Sequence, residues 1–365
     1  MTADVAPARV ESATNNPPFH TLNVAAVEPL CDDAAAITFD VPAELRGAFD
    51  FAAGQSVTVR RTVQGREERR NYSICAPVGA PPRIGVRKIP DGLFSSWLVD
   101  EVTAGTRIDV QEPTGSFRAD PAAGGRHLCI AAGSGITPML SVAASLLANP
   151  ASRVTMFYGN RTSRTVMFAE DLADLKDTYG PRFELVHVLS REPRDVDLFA
   201  GRLDGQRLAR LLDALVPARR LDHVWLCGPL AMVQEARTVL VDAGVRPELI
   251  HRELFYVDEP PPELRHADAI VEGETSDVTI RAGGRTSTAA LLKSTSILDG
   301  AQEVRTDLPF ACKGGVCGTC RAKVRSGETE MRRNYALEDS EVQDGFILTC
   351  QSHAISSSIE IDYDA

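Results

Sequence analysis

Pro309-Phe310-Ala311-Cys312-Lys313-Gly314-Gly315-Val316-Cys317-Gly318-Thr319-Cys320 decides how this chain is read, together with one distant cysteine, Cys350. Cys312, Cys317 and Cys320 make a C-x4-C-x2-C run, and with a remote fourth thiolate this is the ligand spacing of a plant-type [2Fe-2S] cluster. Three ligands from one short loop force the backbone close to the inorganic sulfides and through sharp turns. Gly314, Gly315 and Gly318 permit this because they lack a Cβ. A structural zinc site is the rival reading, but such sites pair two short Cys-x2-Cys knuckles, and this chain has only one.

The other cysteines, Cys31, Cys75, Cys129 and Cys227, lie far apart and mostly in apolar runs, as reduced core thiols do and a disulfide framework does not. Residues 1–18 set Asp4, Arg9 and Glu11 among small residues and prolines with no apolar stretch, so a disordered tail is expected there and not a signal peptide. No later run approaches the ~18 uninterrupted apolar residues of a membrane span, and a cytoplasmic protein without a membrane partner is expected. The net charge of −11 argues against nucleic acid as a partner. From Ala267 onward 16 acidic residues face 10 basic ones; such a surface either steers toward a basic partner or is simply solvated.

With 365 residues, two to four domains are expected. Residues 19–121 alternate apolar and polar positions, with glycine or proline about every ten residues, which predicts short antiparallel strands and a small barrel. Over 122–257 apolar runs such as His127–Ala132, Val154–Tyr158 and His223–Leu226 alternate with helical stretches, which predicts a parallel α/β sheet. Residues 258–266, opening on Asp258-Glu259-Pro260-Pro261-Pro262-Glu263, read as a stiff charged linker. Residues 267–365 open with strand-like Val278-Thr279-Ile280, pass through a helix expected around Ala289 to Asp299, and then present the cysteine loop.

Arg70-Asn71-Tyr72-Ser73 places a guanidinium, a phenol and a hydroxyl where a strand meets a turn. These groups suit a flavin, Arg70 for its pyrophosphate and Tyr72 and Ser73 beside the ring. About twenty residues on, Gly92-Leu93-Phe94-Ser95 opens a helical run to Val99 and offers free N–H groups and a hydroxyl to a phosphate, unless Asp91 caps that helix. A buried strand runs into Gly133-Ser134-Gly135-Ile136-Thr137-Pro138, where glycines allow a pyrophosphate to approach and Pro138 suits a helix's first turn. Cys227-Gly228-Pro229 ends a second strand and should face the same crevice. Ser190 and Arg191 at a further strand end, assisted by Arg161, would suit a 2′-phosphate and favour NADPH over NADH, although Arg191 could instead pair with Glu192.

In this order the motifs Arg70-x-Tyr72-Ser73, Gly92-x-x-Ser95, Gly133-x-Gly135-x-x-Pro138 and Cys227-Gly228-Pro229 resemble the ferredoxin-NADP reductase superfamily over nearly the whole chain beyond residue 18. The resemblance implies an antiparallel β-barrel FAD domain, an α/β nucleotide domain and a β-grasp ferredoxin domain. It implies FAD contacts from Arg70, Tyr72, Ser73, Val86, Lys88, Gly92, Leu93, Phe94 and Ser95. It further implies nucleotide contacts from Gly133 to Pro138, a Cys227 that approaches the nicotinamide, and a catalytic set of Tyr72, Ser73, Cys227 and Glu253. Glu253-Leu254-Phe255 looks like the family's terminal Glu-x-aromatic, whose aromatic shields the flavin; here the chain continues past Phe255. The cysteine loop with its Lys-Gly-Gly-Val insert, Asn334-Tyr335-Ala336-Leu337-Glu338 and Gly345-Phe346-Ile347-Leu348-Thr349-Cys350-Gln351 are similar to the reductase subunits of phenylacetyl-CoA epoxidases. That implies a di-iron oxygenase partner in phenylacetate catabolism. Reductases of 3-ketosteroid 9α-hydroxylase or aromatic-ring hydroxylases are the alternative.

NADPH gives two electrons together and an iron-sulfur cluster takes one, so a flavin between them is the expected converter. A self-sufficient oxygenase is a separate reading, since Glu184-x-x-His187 and Glu248-x-x-His251 mimic di-iron ligand pairs. Both lie in β-like runs, where positions three apart point to opposite faces. His127, His187, His223 and His251 therefore read as edge or core residues. A redox sensor is the non-enzymatic alternative, but it would need no pyridine-nucleotide site.

Overall fold

A computed structural model describes residues 17–63, 65–255, 262, 264–265 and 273–365. Residues 1–16 of the expected tail and most of the expected linker 258–266 lie outside the described residues. The chain divides into two compact units, the division falling after Asp258.

The first unit begins with six strands, β1 (Phe19–Cys31), β2 (Ala34–Asp40), β3 (Ser56–Val63), β4 (Arg66–Ser73), β5 (Arg83–Arg87) and β6 (Arg107–Gln111), with helix α1 (Leu93–Asp100) between the last two. They pair antiparallel in the order β4-β3-β6-β1-β2-β5, and a bridge between Ile74 and Ile84 joins the two ends of that order. The alternating pattern turns Leu22, Val24, Val57, Val59, Ile108 and Val110 inward, onto Phe39 and Leu98, so the sheet closes around one apolar core.

The same unit continues as a wound α/β sheet: β7 (Gly125–Ala132), α2 (Ile136–Leu147), β8 (Ser152–Asn160), α3 (Ala169–Tyr179), β9 (Phe183–Leu189), α4 (Gly205–Leu215), β10 (His223–Cys227), α5 (Leu230–Asp242) and β11 (Ile250–Glu253). All five strands are parallel in the order β11-β10-β7-β8-β9. The chain winds to one side of β7 through β8 and β9 and to the other through β10. Ligands of such sheets bind where the order reverses, here between the carboxyl ends of β7 and β10.

The second unit holds β12 (Thr275–Ala282), β13 (Arg285–Leu292), α6 (Ile297–Gln302), β14 (Arg321–Ser326), β15 (Thr329–Met331), α7 (Asp339–Gln343), β16 (Phe346–Leu348), β17 (Ser352–Ala354) and β18 (Ser358–Asp362). Its mixed sheet runs β13-β12-β18-β14-β16 beside a β15-β17 ribbon, and α6 packs Ile297, Leu298 and Ala301 onto Val278, Ile280 and Ile361, a β-grasp. The helix expected around Ala289 to Asp299 is corrected: Ala289 to Leu292 belong to β13, and the helix starts at Ile297. Gly283 and Gly284, both at positive φ, turn β12 back into β13, and the hairpin pairing from Arg285 to Leu292 outweighs the helix propensity of Ala-Ala-Leu-Leu.

At the switch point Gly135 lies so close to the neighbouring loop that a Cβ there would sit 2.1 Å from the Cys227 carbonyl oxygen. Gly135→Ala is therefore expected to destabilise the protein by about 2 kcal/mol, a fall of roughly 4–8 °C in Tm. Gly47→Ala, with nothing within 4 Å of the added methyl, should leave thermal unfolding nearly unchanged, and the pair is compared by calorimetry.

Candidate functional site

In the barrel, β4 delivers Arg70 and Tyr72 to the start of α1. The Tyr72 ring stacks on Phe94 with centroids 6.5 Å apart, and the Arg70 guanidinium stands 5.7 Å from the Phe94 centroid while pairing with Glu68 at 2.8 Å. Burial raises the Tyr72 phenol, so it stays protonated. Helix α1 begins at Gly92 with no side-chain cap; Asp91 sits at positive φ and does not cap it. Its first-turn N–H groups are thus left to a ligand, which fits a phosphate. The Ser95 hydroxyl is already engaged, accepting from Ile89 N at 3.0 Å and donating to Gly92 O at 3.2 Å, so it shapes the loop and is not the free donor that the sequence suggested. Leu93 is exposed, at 64%.

Val86 is buried in the barrel core, which leaves only its backbone to a cofactor, and Lys88 pairs with Asp100 at 3.0 Å. The residue between them was missed. Alternation along β5 turns Arg87 outward, where it bonds Asp33 at 3.2 Å and Thr165 O at 2.5 Å, and its Nη1 would stand 3.5 Å from a Cβ on Gly133.

The glycine loop itself follows β7 as a tight turn, Gly133–Gly135, with Gly133 at positive φ and Pro138 in the first turn of α2. Tyr158 OH donates to Gly133 O at 3.0 Å, and Thr137 is buried with its hydroxyl on Ser134 O at 3.1 Å. Gly228 is less confined, since a Cβ there would meet only the movable end of Met232 at 2.6 Å, with the Ala132 backbone at 3.3 Å. The two loops lie against each other, Gly135 beside Cys227 and Gly228.

Cys227 and Glu253 are register partners on β10 and β11, and Ser73, at the end of the barrel strand β4, donates to Glu253 Oε2 at 2.9 Å. Burial raises the Glu253 carboxyl to about 7, the bond from Ser73 opposing it. Burial, and then Glu253, raise the Cys227 thiol far above its usual range, so it is a neutral packing group and not a thiolate. Phe255 is half-buried against the same core.

At the end of β9, Glu192 accepts from Ser163 N at 2.7 Å and Ser163 Oγ at 2.8 Å, so it is Ser163, and not Arg191, that holds this carboxylate. Arg191 N donates to Arg161 O at 2.7 Å, which sets Ser190, Arg191 and Arg161 side by side. The Glu-x-x-His patterns place no metal site: Glu184 is exposed on β9, and Glu248 lies in a turn before β11. His127, His223 and His251 do meet across three strands, with His223 Nδ1 and His251 Nε2 3.0 Å apart and Trp225 stacked on His251 at 4.2 Å. Burial holds His127 low and His251 at about 4, and the three rings pack together at the amino ends of the strands.

In the second unit the four cysteines fall into two hydrogen-bonded pairs, Cys312 with Cys317 and Cys320 with Cys350. Among the described residues no three or more His, Cys, Asp or Glu side chains gather around one metal position. Two pairs fit a two-iron core, two thiolates to each iron, and do not fit a single zinc ion. Gly315 and Gly318 take positive φ in the loop, and Gly314 N donates to Cys312 Sγ at 3.3 Å. Thr349 keeps the fourth ligand in register: its hydroxyl donates to Cys320 O at 3.0 Å and accepts from Tyr363 OH at 2.9 Å.

Three family models match the chain: an oxidoreductase FAD-binding domain over residues 21–119, an oxidoreductase NAD-binding domain over 129–238 and a 2Fe-2S iron-sulfur cluster binding domain over 280–354. The chain is 41% identical over 352 residues to a subunit of the 1,2-phenylacetyl-CoA epoxidase of Escherichia coli (strain K12), covering 95% of this chain and 98% of that one. It is 31% identical over 356 residues to the ferredoxin reductase component of 3-ketosteroid-9-alpha-monooxygenase of Mycobacterium tuberculosis (strain ATCC 25618 / H37Rv), covering 94% and 95%. Among solved structures, phthalate dioxygenase reductase shares the fold with a TM-score of 0.61 at 24% identity, over 94% of this chain and 98% of that one. No helix among the described residues is long and apolar enough to cross a membrane.

The Glu253 carboxyl makes a pH signature. Its folded pKa of about 7 lies above the ordinary 4.5, so the stability associated with the protonated form is complete below about 4.5, declines as pH rises, and is gone above about 7. Glu253→Gln keeps an uncharged partner for Ser73. Urea unfolding should therefore show the variant gaining on the wild type between pH 5 and pH 8, by on the order of 3 kcal/mol, whereas a constant difference would mean that Glu253 is ionised throughout.

Proposed function

The chain belongs to the ferredoxin-NADP reductase superfamily, among the oxygenase reductases that carry a C-terminal [2Fe-2S] domain, and from that we propose that it passes electrons from NADPH to a di-iron oxygenase that epoxidises phenylacetyl-CoA. The observation that carries this reading is the presence, in one chain, of a glycine turn pressed against Cys227 at the switch point of a parallel sheet and of a three-cysteine loop paired with the distant Cys350. The end-to-end similarity to an epoxidase subunit supports the choice of oxygenase. A 3-ketosteroid hydroxylase reductase is the second reading, supported by a weaker similarity of the same extent.

When bound, FAD supplies the conversion between an electron pair and single electrons, and a [2Fe-2S] cluster supplies one-electron transfer. The chain's own residues supply geometry and proton control. In this reading Arg70, Tyr72, Phe94, Leu93 and the N–H groups after Gly92 receive the FAD, with Ser95 shaping that turn and Val86 and Lys88 beside it. Gly133 to Pro138 and Cys227-Gly228-Pro229 receive the nicotinamide nucleotide. Buried Cys227 and half-buried Phe255 exclude water from the reacting face. Glu253 is poised near neutrality, so it can hold a proton at its carboxyl and share it with Ser73 Oγ. Cys312, Cys317, Cys320 and Cys350 hold the cluster. The FAD, nucleotide and ferredoxin domains are assigned to 19–121, 122–257 and 267–365, in a protein of the cytoplasm.

The direct test mixes the purified chain with NADPH, the oxygenase subunits and phenylacetyl-CoA. Formation of the epoxide is expected, and its absence with an oxygenase active on another reductase would contradict the choice of partner. Arg191→Ala should raise KM for NADPH about tenfold and change KM for NADH less than about twofold, because only NADPH carries a phosphate for the guanidinium. Equal losses in steady-state kinetics would assign Arg191 a structural role. Cys350→Ser should lose the cluster yet keep NADPH oxidation with ferricyanide, because the first unit has its own cores. Oxygenase turnover by a preparation shown to lack iron would contradict the relay.

A further inference from the structure

Phe168 opens α3 with φ 59° and ψ 34°, a left-handed conformation that bulky side chains rarely adopt. It is 1% exposed. Strain of this kind persists only where the surroundings fix the residue from several sides, and it collects at functional sites. Phe168 is fixed from three. Its carbonyl accepts from Leu172 N at 3.0 Å, which starts the helix. Its neighbour Met167 donates through N to the Tyr158 hydroxyl at 3.3 Å, and that hydroxyl donates to Gly133 O in the glycine loop. Its ring lies on the barrel: a Cβ on Gly85 of β5 would meet Phe168 Cζ at 2.6 Å and Cε2 at 2.9 Å.

Gly85 provides room and not backbone freedom, because it stands mid-strand without positive φ. The parallel-sheet domain fills that room. The same Cβ would also meet Thr137 Cγ2 at 2.7 Å, in the first turn of α2. Arg83, two residues earlier on β5, clamps the contact. Its guanidinium carbon stands 5.2 Å from the Phe168 ring centroid, and its terminal nitrogens bond Asp171 on α3 and Glu28 on β1. Barrel strand, glycine-loop helix and α3 therefore meet at one ring. Thr137 belongs to the turn assigned to the nicotinamide nucleotide, and Gly85 adjoins Val86, assigned to the FAD.

We infer that Phe168 is a positioning residue for hydride transfer: seated on Gly85 and held by Arg83, it fixes how closely the barrel approaches the glycine loop, and through that the approach of the nicotinamide to the flavin. The inference rests on the reading that the barrel holds FAD and the switch-point turn holds the nicotinamide nucleotide. Phe168 touches neither group in this role. It acts through β5 and α2, and a misplacement of about 1 Å is enough to slow such a step by about a hundredfold.

The test is anaerobic stopped-flow of the FAD-loaded full chain, which follows flavin reduction as one hydride, and so two electrons, passes from the nicotinamide to the flavin. The long-wavelength charge-transfer absorbance reports how the two rings stack. Gly85→Ala drives a methyl between β5 and the Phe168 ring, and Phe168→Leu removes the ring. Each should slow flavin reduction at saturating nucleotide tenfold or more, by the same factor with NADPH and NADH, and at least halve the charge-transfer band. Calorimetric affinity for ADP-ribose should stay within twofold of the wild type. A lowered Tm with the reduction rate and the band unchanged would make the contact purely structural and overturn the inference. Lost ADP-ribose affinity with an unchanged saturated rate would overturn it too. Should both variants fail to hold FAD, Arg83→Met decides, since it keeps the stem and removes the clamp: reduction slowed threefold or more with a weakened band supports the inference, and a wild-type rate and band overturn it. A wild-type chain that holds FAD but is reduced by neither nucleotide would instead refute the reading of the crevice, and the inference with it.

Discussion

The hydrogen bond from Ser73 to the part-buried Glu253 carboxyl is the constraint on which the first unit depends. A buried carboxylate without a cation is strongly disfavoured, so the group holds its proton to about pH 7, and the bond it makes is between residues 180 positions apart. One partner ends a barrel strand and the other ends the edge strand of the parallel sheet. Their contact brings the end of β4 to the switch point of the sheet, where Cys227 and the glycine loop already press together.

The crevice is organised by what is missing from it. Gly135 has no space for a Cβ, and α1 has no side-chain cap. Each such departure from local satisfaction costs stability in the chain alone. In the second unit the corresponding device is the cysteine loop. There Thr349 and Tyr363 tie the strand bearing Cys350 to the carbonyl of Cys320, so that ligands thirty positions apart keep one spacing.

Much of this was legible in the sequence because it rests on local rules. The C-x4-C-x2-C run, the Gly133 to Pro138 turn and the period-two alternation of the barrel strands all gave their structures directly. What remained illegible depends on distant partners. Ser95 reads as a free hydroxyl until Ile89 and Gly92 are seen to occupy it, and Val86 and Lys88 read as ligands until the pleat of β5 turns Arg87 out between them. Arg191 and Glu192 are neighbours in sequence, yet the acid turns to Ser163. Ala289 to Leu292 looks helical until the Gly283-Gly284 turn pairs it with β12.

The central claim is that one chain carries electrons from a pyridine nucleotide to its own iron-sulfur cluster. Anaerobic rapid mixing of the purified chain with NADPH, followed by freezing and electron paramagnetic resonance, tests it most directly. The account requires the signal of a reduced [2Fe-2S] cluster within the time of one catalytic turnover. A flavin that bleaches while the cluster stays oxidised would contradict it.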